Sequence, residues 1–447
     1  MKHLSLTLIL ILCGAQGWSQ SDSSPSNTPP PYHPSVNGDS GSLAFSSEAE
    51  RTNLLSGGFT LSSTYDDNAF SSPRNAVGSV GFMVMPNLSL VESTVRTRWA
   101  LNYNPGFIWN QRGSSQYQQD HNLDFNSQYR VTERLTARIH ENFVDESTSF
   151  NELNQNPLLP GTNVLSQPNP SVLAPLSNQK FSVTNADLVD QIAEATNVGA
   201  SGNFNKLSFQ DVTSGPVQLL NNESWGGDAF YSHYFTPQQS LGVTYTFQNI
   251  ATFGQILEHA QTQSMLLYYS VNLKPGVTLS LFSGPDHTVT KDQFEYDLGP
   301  GSVPINQHQS MWLADEGATF SWQGQQTSVR LNLIHHVTDG AGGTGAVQLY
   351  SAVAGVRRQL SRMWTGDVAL NYDKNSPLSH YFGNAFADYV GSAGLDRTIG
   401  ERFTVAVRYG RYFQRFEAFG ATSYSNYSAN HNRAWISFSY HFSRPLG

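Results

Sequence analysis

Nine residues near the end of the chain, AWISFSYHF at 434–442, put Ile436, Phe438, Tyr440 and Phe442 on one side of an extended backbone and Trp435, Ser437, Ser439 and His441 on the other. That period of two belongs to a strand with one apolar face and one mostly polar face, and it excludes a helix in this window. The same alternation recurs from residue 58 onward in segments of roughly ten residues, a length that suits a tilted strand crossing a bilayer. Eighteen such segments can be drawn. The sixth and seventh, 183–192 and 197–209, are the weakest, because Asp187, Asp190 and Glu194 interrupt the apolar side and 185–195 could instead form a helix within a long loop. Without that pair the count is sixteen.

Composition narrows the choice. Only 13% of the 447 residues are charged and 38% are hydrophobic, and no shift in composition divides the chain after residue 56. A helical membrane protein needs apolar runs of about twenty residues, and none is present. A disordered chain would not carry 26 Phe, 20 Tyr and 8 Trp. At the start, Lys2 and His3 precede an apolar run at 4–12 and the small residues Ala15 and Gly17, the pattern of an export signal spanning 1–19. A Ser/Pro/Asn-rich leader, 20–57, follows. Cys13 is the single cysteine and lies in the signal, so disulfide scaffolds and Cys-based metal sites are excluded. A net charge of −9 offers no basic patch for nucleic acid.

The connections between segments come in two kinds. Short ones, such as 131–134, 236–239, 274–276 and 323–326, alternate with longer polar ones at 68–76, 110–120, 146–182, 291–306, 339–346 and 414–429. In a membrane barrel the short turns lie in the periplasm and the long loops outside the cell. Charge then assigns the faces. Residues 93–107 place Val95, Trp99, Leu101 and Tyr103 on one face and Arg96, Arg98, Asn102 and Asn104 on the other. An arginine facing lipid near the midplane costs about 2–4 kcal/mol, so the arginine face must be the lumen. Parity extends that lining to Asp124, Arg130, Arg138, Arg330, Arg357, Asp367, Asp388 and Arg408. Unpaired backbone edges cannot sit in hydrocarbon, so the sheet must close. The expectation is an all-β chain: a closed antiparallel transmembrane barrel over 58–442 with eighteen strands, or sixteen, and a tail at 443–447.

Motifs with chemical associations fit this frame only as structure. Gly38-Asp39-Ser40-Gly41 resembles a serine-protease nucleophile segment, yet it sits in the leader with no domain ahead of it to supply His and Asp. Gly340-Ala341-Gly342-Gly343-Thr344-Gly345 matches G-x-G-x-x-G literally, but a strand follows where a dinucleotide fold needs a helix, so it reads as a hairpin loop. His335 and His336 point to opposite faces and cannot share a metal. A barrel lipase would need a Ser and a His on the lipid side; His233 and His335 fall there, but no carboxylate or carboxamide partner can be named. Asp66, Asp67 and Asn68 are either a calcium site or a turn-forming cluster, and turn formation is the commoner use. Neither a catalytic set, a cofactor nor a metal is expected.

With the strands placed, the chain from about residue 185 to 447 resembles the β-barrel outer-membrane proteins found in quantity in Acidobacteria-like genomes. The resemblance is carried by GGDAFYSHYF (226–235), LGVTYTFQ (241–248), LKPGVTLSLFSGP (273–285) and WISFSYHFSRPLG (435–447). The broader group includes porin-like barrels associated with exopolysaccharide export. The last strand, with Ile436, Phe438, Tyr440 and Phe442, looks like the insertion signal read by the barrel-assembly machinery, although five residues follow its final aromatic. The resemblance implies a Gram-negative outer-membrane location among lipid and lipopolysaccharide. It also implies a porin-like channel for small polar solutes or saccharide, with polysaccharide export as one use. The alternative is a non-conducting surface anchor whose 146–182 loop makes the contacts.

Overall fold

The computed structural model describes residues 53–70, 72, 74–111, 117–146, 169, 178–209, 219–253, 257–297, 302–379, 385–417 and 427–445. The expected signal and nearly all of the leader, including Gly38 to Gly41, lie outside them, as does the 146–182 loop apart from Glu146, Asn169 and 178–182. Every regular element among the described residues is a strand. The first six are β1 (Leu54–Asp66), β2 (Ser79–Ser93), β3 (Thr97–Asn110), β4 (Tyr117–Arg130), β5 (Leu135–Glu146) and β6 (Gln179–Ala193). Next come β7 (Thr196–Phe209), β8 (Asn221–Thr236), β9 (Gln239–Phe253), β10 (Leu257–Lys274), β11 (Val277–Asp297) and β12 (Ser302–Gln323). The last are β13 (Thr327–Gly340), β14 (Thr344–Gln359), β15 (Trp364–Pro377), β16 (Ala385–Ile399), β17 (Phe403–Glu417) and β18 (Tyr427–Pro445).

Each strand pairs antiparallel with its sequence neighbours, and β1 pairs with β18, so the 18-stranded sheet closes into a barrel. The helix alternative at 185–195 is not adopted. β6 pairs along its length with β5 and β7, and Asp187, which breaks the apolar pattern, is an inward residue held by Arg138 at 2.7 Å. The seam also moves two boundaries. Leu54 pairs with Pro445 and Ser56 with Ser443, so the barrel begins four residues earlier than expected, and most of the expected tail belongs to β18.

Alternation holds around the ring. Ile436, Phe438 and Phe442 face outward beside the outward residues of β17 and β1, with Phe403 and Phe438 ring centroids 5.5 Å apart and Phe59 and Tyr440 5.8 Å apart. Towards the loop rim a second aromatic belt includes Trp109 with Tyr117 at 5.7 Å, Trp225 with Phe247 at 5.4 Å and Tyr372 with Tyr389 at 4.8 Å. Two such belts are what the interfaces of a bilayer select. Among the described residues several carboxylates stand on the outward face: Asp145 lies 2.9 Å from Lys180 and Glu223 3.5 Å from Lys206. Glu141 accepts hydrogen bonds from Ser182, at 2.8 Å, and Thr184, and Glu316 lies 3.7 Å from His335.

The strands near β11 outrun the band. β11 and β12 contain 21 and 22 residues, about 70 Å of chain at about 3.3 Å per residue, far more than a band of about 25 Å requires. The segment 291–306, expected as a loop, is therefore largely strand. The segment 339–346 is likewise a tight hairpin tip rather than a polar loop.

Candidate functional site

The loop rim of the barrel is crossed by the tip of the β13–β14 hairpin. All twelve residues from 336 to 347 are buried, which no outward-lying loop could achieve. Ala341 belongs to one apolar cluster with Phe209 and Leu219 at the β7–β8 end and with Phe386, Tyr412, Phe416 and Ala429 of β16–β18. In a ring of eighteen strands β8 and β17 are diametrically opposed, so this cluster spans the lumen. A second cluster packs Val337 and Ala346 of the hairpin against Ile250 and Ala260 of β9 and β10 and against Leu378.

Polar contacts fix the tip. Leu220 N donates to Gly342 O at 2.8 Å, and Leu378 N donates to Ala346 O at 3.0 Å. The Glu258 carboxylate accepts Ala346 N at 2.8 Å. Asn222, its amide oriented by its surroundings, accepts from Gly342 N and donates to Thr252 Oγ1, both at 3.0 Å. Asn169 Nδ2 reaches Asp339 O at 2.7 Å and Asn375 Oδ1 at 2.6 Å, which ties the long 146–182 connection to the hairpin. Asp339 closes the turn by accepting Ala341 N at 2.8 Å.

The glycines that mimic a nucleotide motif serve this close approach. Gly342 has φ +80°, and a Cβ there would overlap the Phe209 ring. A Cβ on Gly345 would overlap the Glu258 carboxylate. The hairpin-loop reading of G-x-G-x-x-G holds, but with a purpose invisible in the pattern: the tip is glycine-rich because it is wedged between opposite walls.

Below the tip the inward face is charged and largely paired. Arg408 donates to Asp367 at 3.1 Å and to Asp396 at 3.0 Å through separate nitrogens, bridging β15, β16 and β17. Asp124 accepts from Asn102 at 3.2 Å and contacts His140 at 2.7 Å, while Arg138 holds Asp187. Asp388 sits opposite Asp373 in the β15–β16 register, fully buried towards the loop rim. Arg130 and Arg330 also face inward and are engaged. Arg357 faces inward and, with Arg98, carries no ion pair among the described residues. Arg96 lies in the turn between β2 and β3, exposed at the turn rim rather than on the wall.

The remaining candidates resolve structurally. His335 is outward, stacked on Tyr350 at 4.0 Å, and His336 is inward, so they do face apart. Asp66 and Asp67 form a turn cluster: Asp66 accepts Asn68 N at 2.8 Å and lies 3.2 Å from His431, and Asp67 accepts Asn432 N at 2.7 Å. Sequence reasoning missed Glu258, Asn169, Asn222 and Phe209 as partners of the tip. One signal was available: 336–347 contains four glycines and no Asn, Gln or Ser, unlike the other long connections.

No family model and no curated protein matches this chain. Among solved structures it is similar to the ferric citrate transporter FecA in the unliganded form, with 11% identity and a TM-score of 0.45 over 88% of this chain and 79% of that one. It is also similar to Pseudomonas aeruginosa OccK2 (OpdF), at 12% identity and a TM-score of 0.42 over 88% and 98% of the two chains. For Pseudomonas aeruginosa OccK1 (OpdK) the values are 12%, 0.40, 87% and 99%.

Proposed function

We propose that this chain is an outer-membrane channel for small polar solutes whose external mouth is closed by the β13–β14 hairpin. The observation that carries the reading is the apolar bridge from Phe209 through Ala341 to Tyr412, laid across a polar, charged lumen. A barrel of eighteen strands is wide enough to hold water, so a dedicated closing element has something to close. The outward apolar band and its aromatic belts support a membrane location, and short turns on one rim with both barrel ends on that rim support an outer-membrane orientation. On this reading lipid and lipopolysaccharide surround the band, and the assembly machinery takes up β18. The pore-lining role of Arg98, Asp124, Arg130, Arg138, Arg330, Arg357, Asp367, Asp388 and Arg408 belongs to the same proposal. Saccharide as the solute fits a lining rich in Asn, Thr and Ser, whereas polysaccharide export rests on the sequence resemblance alone.

The same hairpin favours a second reading, a closed barrel that anchors a surface. Planar-bilayer recording of the refolded full chain separates the two. A channel gives discrete openings that become frequent when the hairpin is loosened. Silence from both the natural chain and the loosened variants refutes the channel and leaves the anchor.

A further inference from the structure

The hairpin enters the barrel at a cost to the wall. β13 pairs with β12 only from Glu316↔His335 down to Gln323↔Ser328. Above that point β13 turns inward, and Asp315 accepts the backbone N–H of Val337 where a ladder bond would otherwise continue. β12 does not follow. Its residues 302–315 keep their register with β11 and have no strand partner on the other side among the described residues. The result is a long strand edge, running from the loop-side aromatic belt out beyond it, whose N–H and C=O groups on the β13 side pair with no strand among the described residues.

We propose that this edge of β12 is a binding site for an extended, uncharged polypeptide segment of a partner, which adds as a strand beside it. Natural sheets blunt exposed edges with charge, proline or bulges. Here the only Asp, Glu, Lys or Arg in 302–315 is Asp315 at the foot of the edge, where it already holds the Val337 N–H, and the single proline, Pro304, lies at the far tip. The register with β11 is unbroken, so no bulge twists the edge away. Edges of this kind are recognised through main-chain hydrogen bonds, with alternate side chains supplying selectivity.

The surroundings specify the visitor. On the inner side Met311 and Leu313 already pack against the hairpin cluster of Val337 and Ala346, so an added strand meets apolar surface there. On the outer side stand Ser310 and Trp312, the latter 72% exposed and 4.8 Å from the His287 ring. The floor is the last closed pair, Glu316 and His335, backed by Tyr350. A segment of about eight residues fills the edge, with alternate residues apolar inward and small or aromatic outward. A second copy of the chain is a poor occupant. Two barrels related by an axis along the membrane normal present strands tilted about 45° in opposite senses, so their edges cross rather than pair.

The test uses the refolded full chain in detergent micelles and a fluorescent, end-capped peptide, Ser-Val-Thr-Tyr-Thr-Val-Gln-Ser, followed by anisotropy. Saturable binding is expected. It should fall at least tenfold when alternate amides along one edge of the peptide are N-methylated and stay unchanged when the other set is methylated. Gln309→Lys, which places an inward charge on the edge, should weaken binding tenfold or more, while Gln263→Lys, two strands into the sheet on the outer face, should leave it intact. No binding at millimolar peptide, equal effects of both methylation patterns, or self-association of the barrel that excludes the peptide would each overturn the proposal. The methylation arm needs no protein variant and so stands even if Gln309→Lys folds poorly.

Discussion

Gly342→Ala is the sharpest probe of the closed mouth. At φ +80° an L side chain is strained by about 1–2 kcal/mol relative to glycine. The added Cβ also overlaps the Phe209 ring, and overpacking a buried contact costs about 1–3 kcal/mol. Together these place about 2–5 kcal/mol against the seated hairpin and leave the unseated one untouched. At about 1.4 kcal/mol per tenfold, the ratio of open to closed channels rises by a factor of about 30 to several thousand. The assay is single-channel recording in planar bilayers, with refolding checked by heat-dependent gel mobility. Gly400→Ala is the control: Gly400 has φ +65° in the turn between β16 and β17 with no atom within 4 Å of the added carbon, so it bears strain without touching the mouth. A folded Gly342→Ala barrel that gates like the natural chain would falsify the claim that the wedged tip controls access.

Three further outcomes are expected. Arg98→Glu should move the reversal potential in a salt gradient towards cations, and Arg96→Glu should move it less, because Arg98 lies on the inner wall and Arg96 in the rim turn; equal shifts would contradict the placement. Arg408→Ala strands Asp367 and Asp396, and since the site is only partly shielded the loss in denaturant stability should sit near or below the lower end of the about 3–5 kcal/mol seen for buried pairs. Adding Asp367→Asn and Asp396→Asn should restore most of it. Leu331→Arg, on the outward face, should cost about 2–4 kcal/mol of stability in lipid vesicles, whereas Asn332→Arg, its inward neighbour, should cost little.

The wall was legible in the amino-acid sequence and the mouth was not, for one physical reason. Alternation is a local property, so Phe403, Val405 and Val407 announce their face within a single strand, and the energetic penalty on misplaced arginines sets its direction. The number of strands followed, with difficulty only at β6, where Asp187 looks like a fault until Arg138 is seen across the ladder. Contacts across the lumen obey no period. Nothing near Gly342 names Phe209, and nothing near Ala346 names Glu258, since these pairs meet only after the ring has closed. The departure of β13 from β12 was hidden for the same reason, because both strands alternate normally beyond the last pair they share.

The pairing of β1 with β18 has a consequence for how the molecule comes into being. Thr60 and Ser439, 2.9 Å apart in the seam, are separated by 379 positions along the chain. Contacts so distant make folding slow, and until the two ends meet the growing sheet has two raw margins able to capture other chains. Such a polypeptide needs shielding from other chains until Thr60 and Ser439 come together and the ring has no margin left.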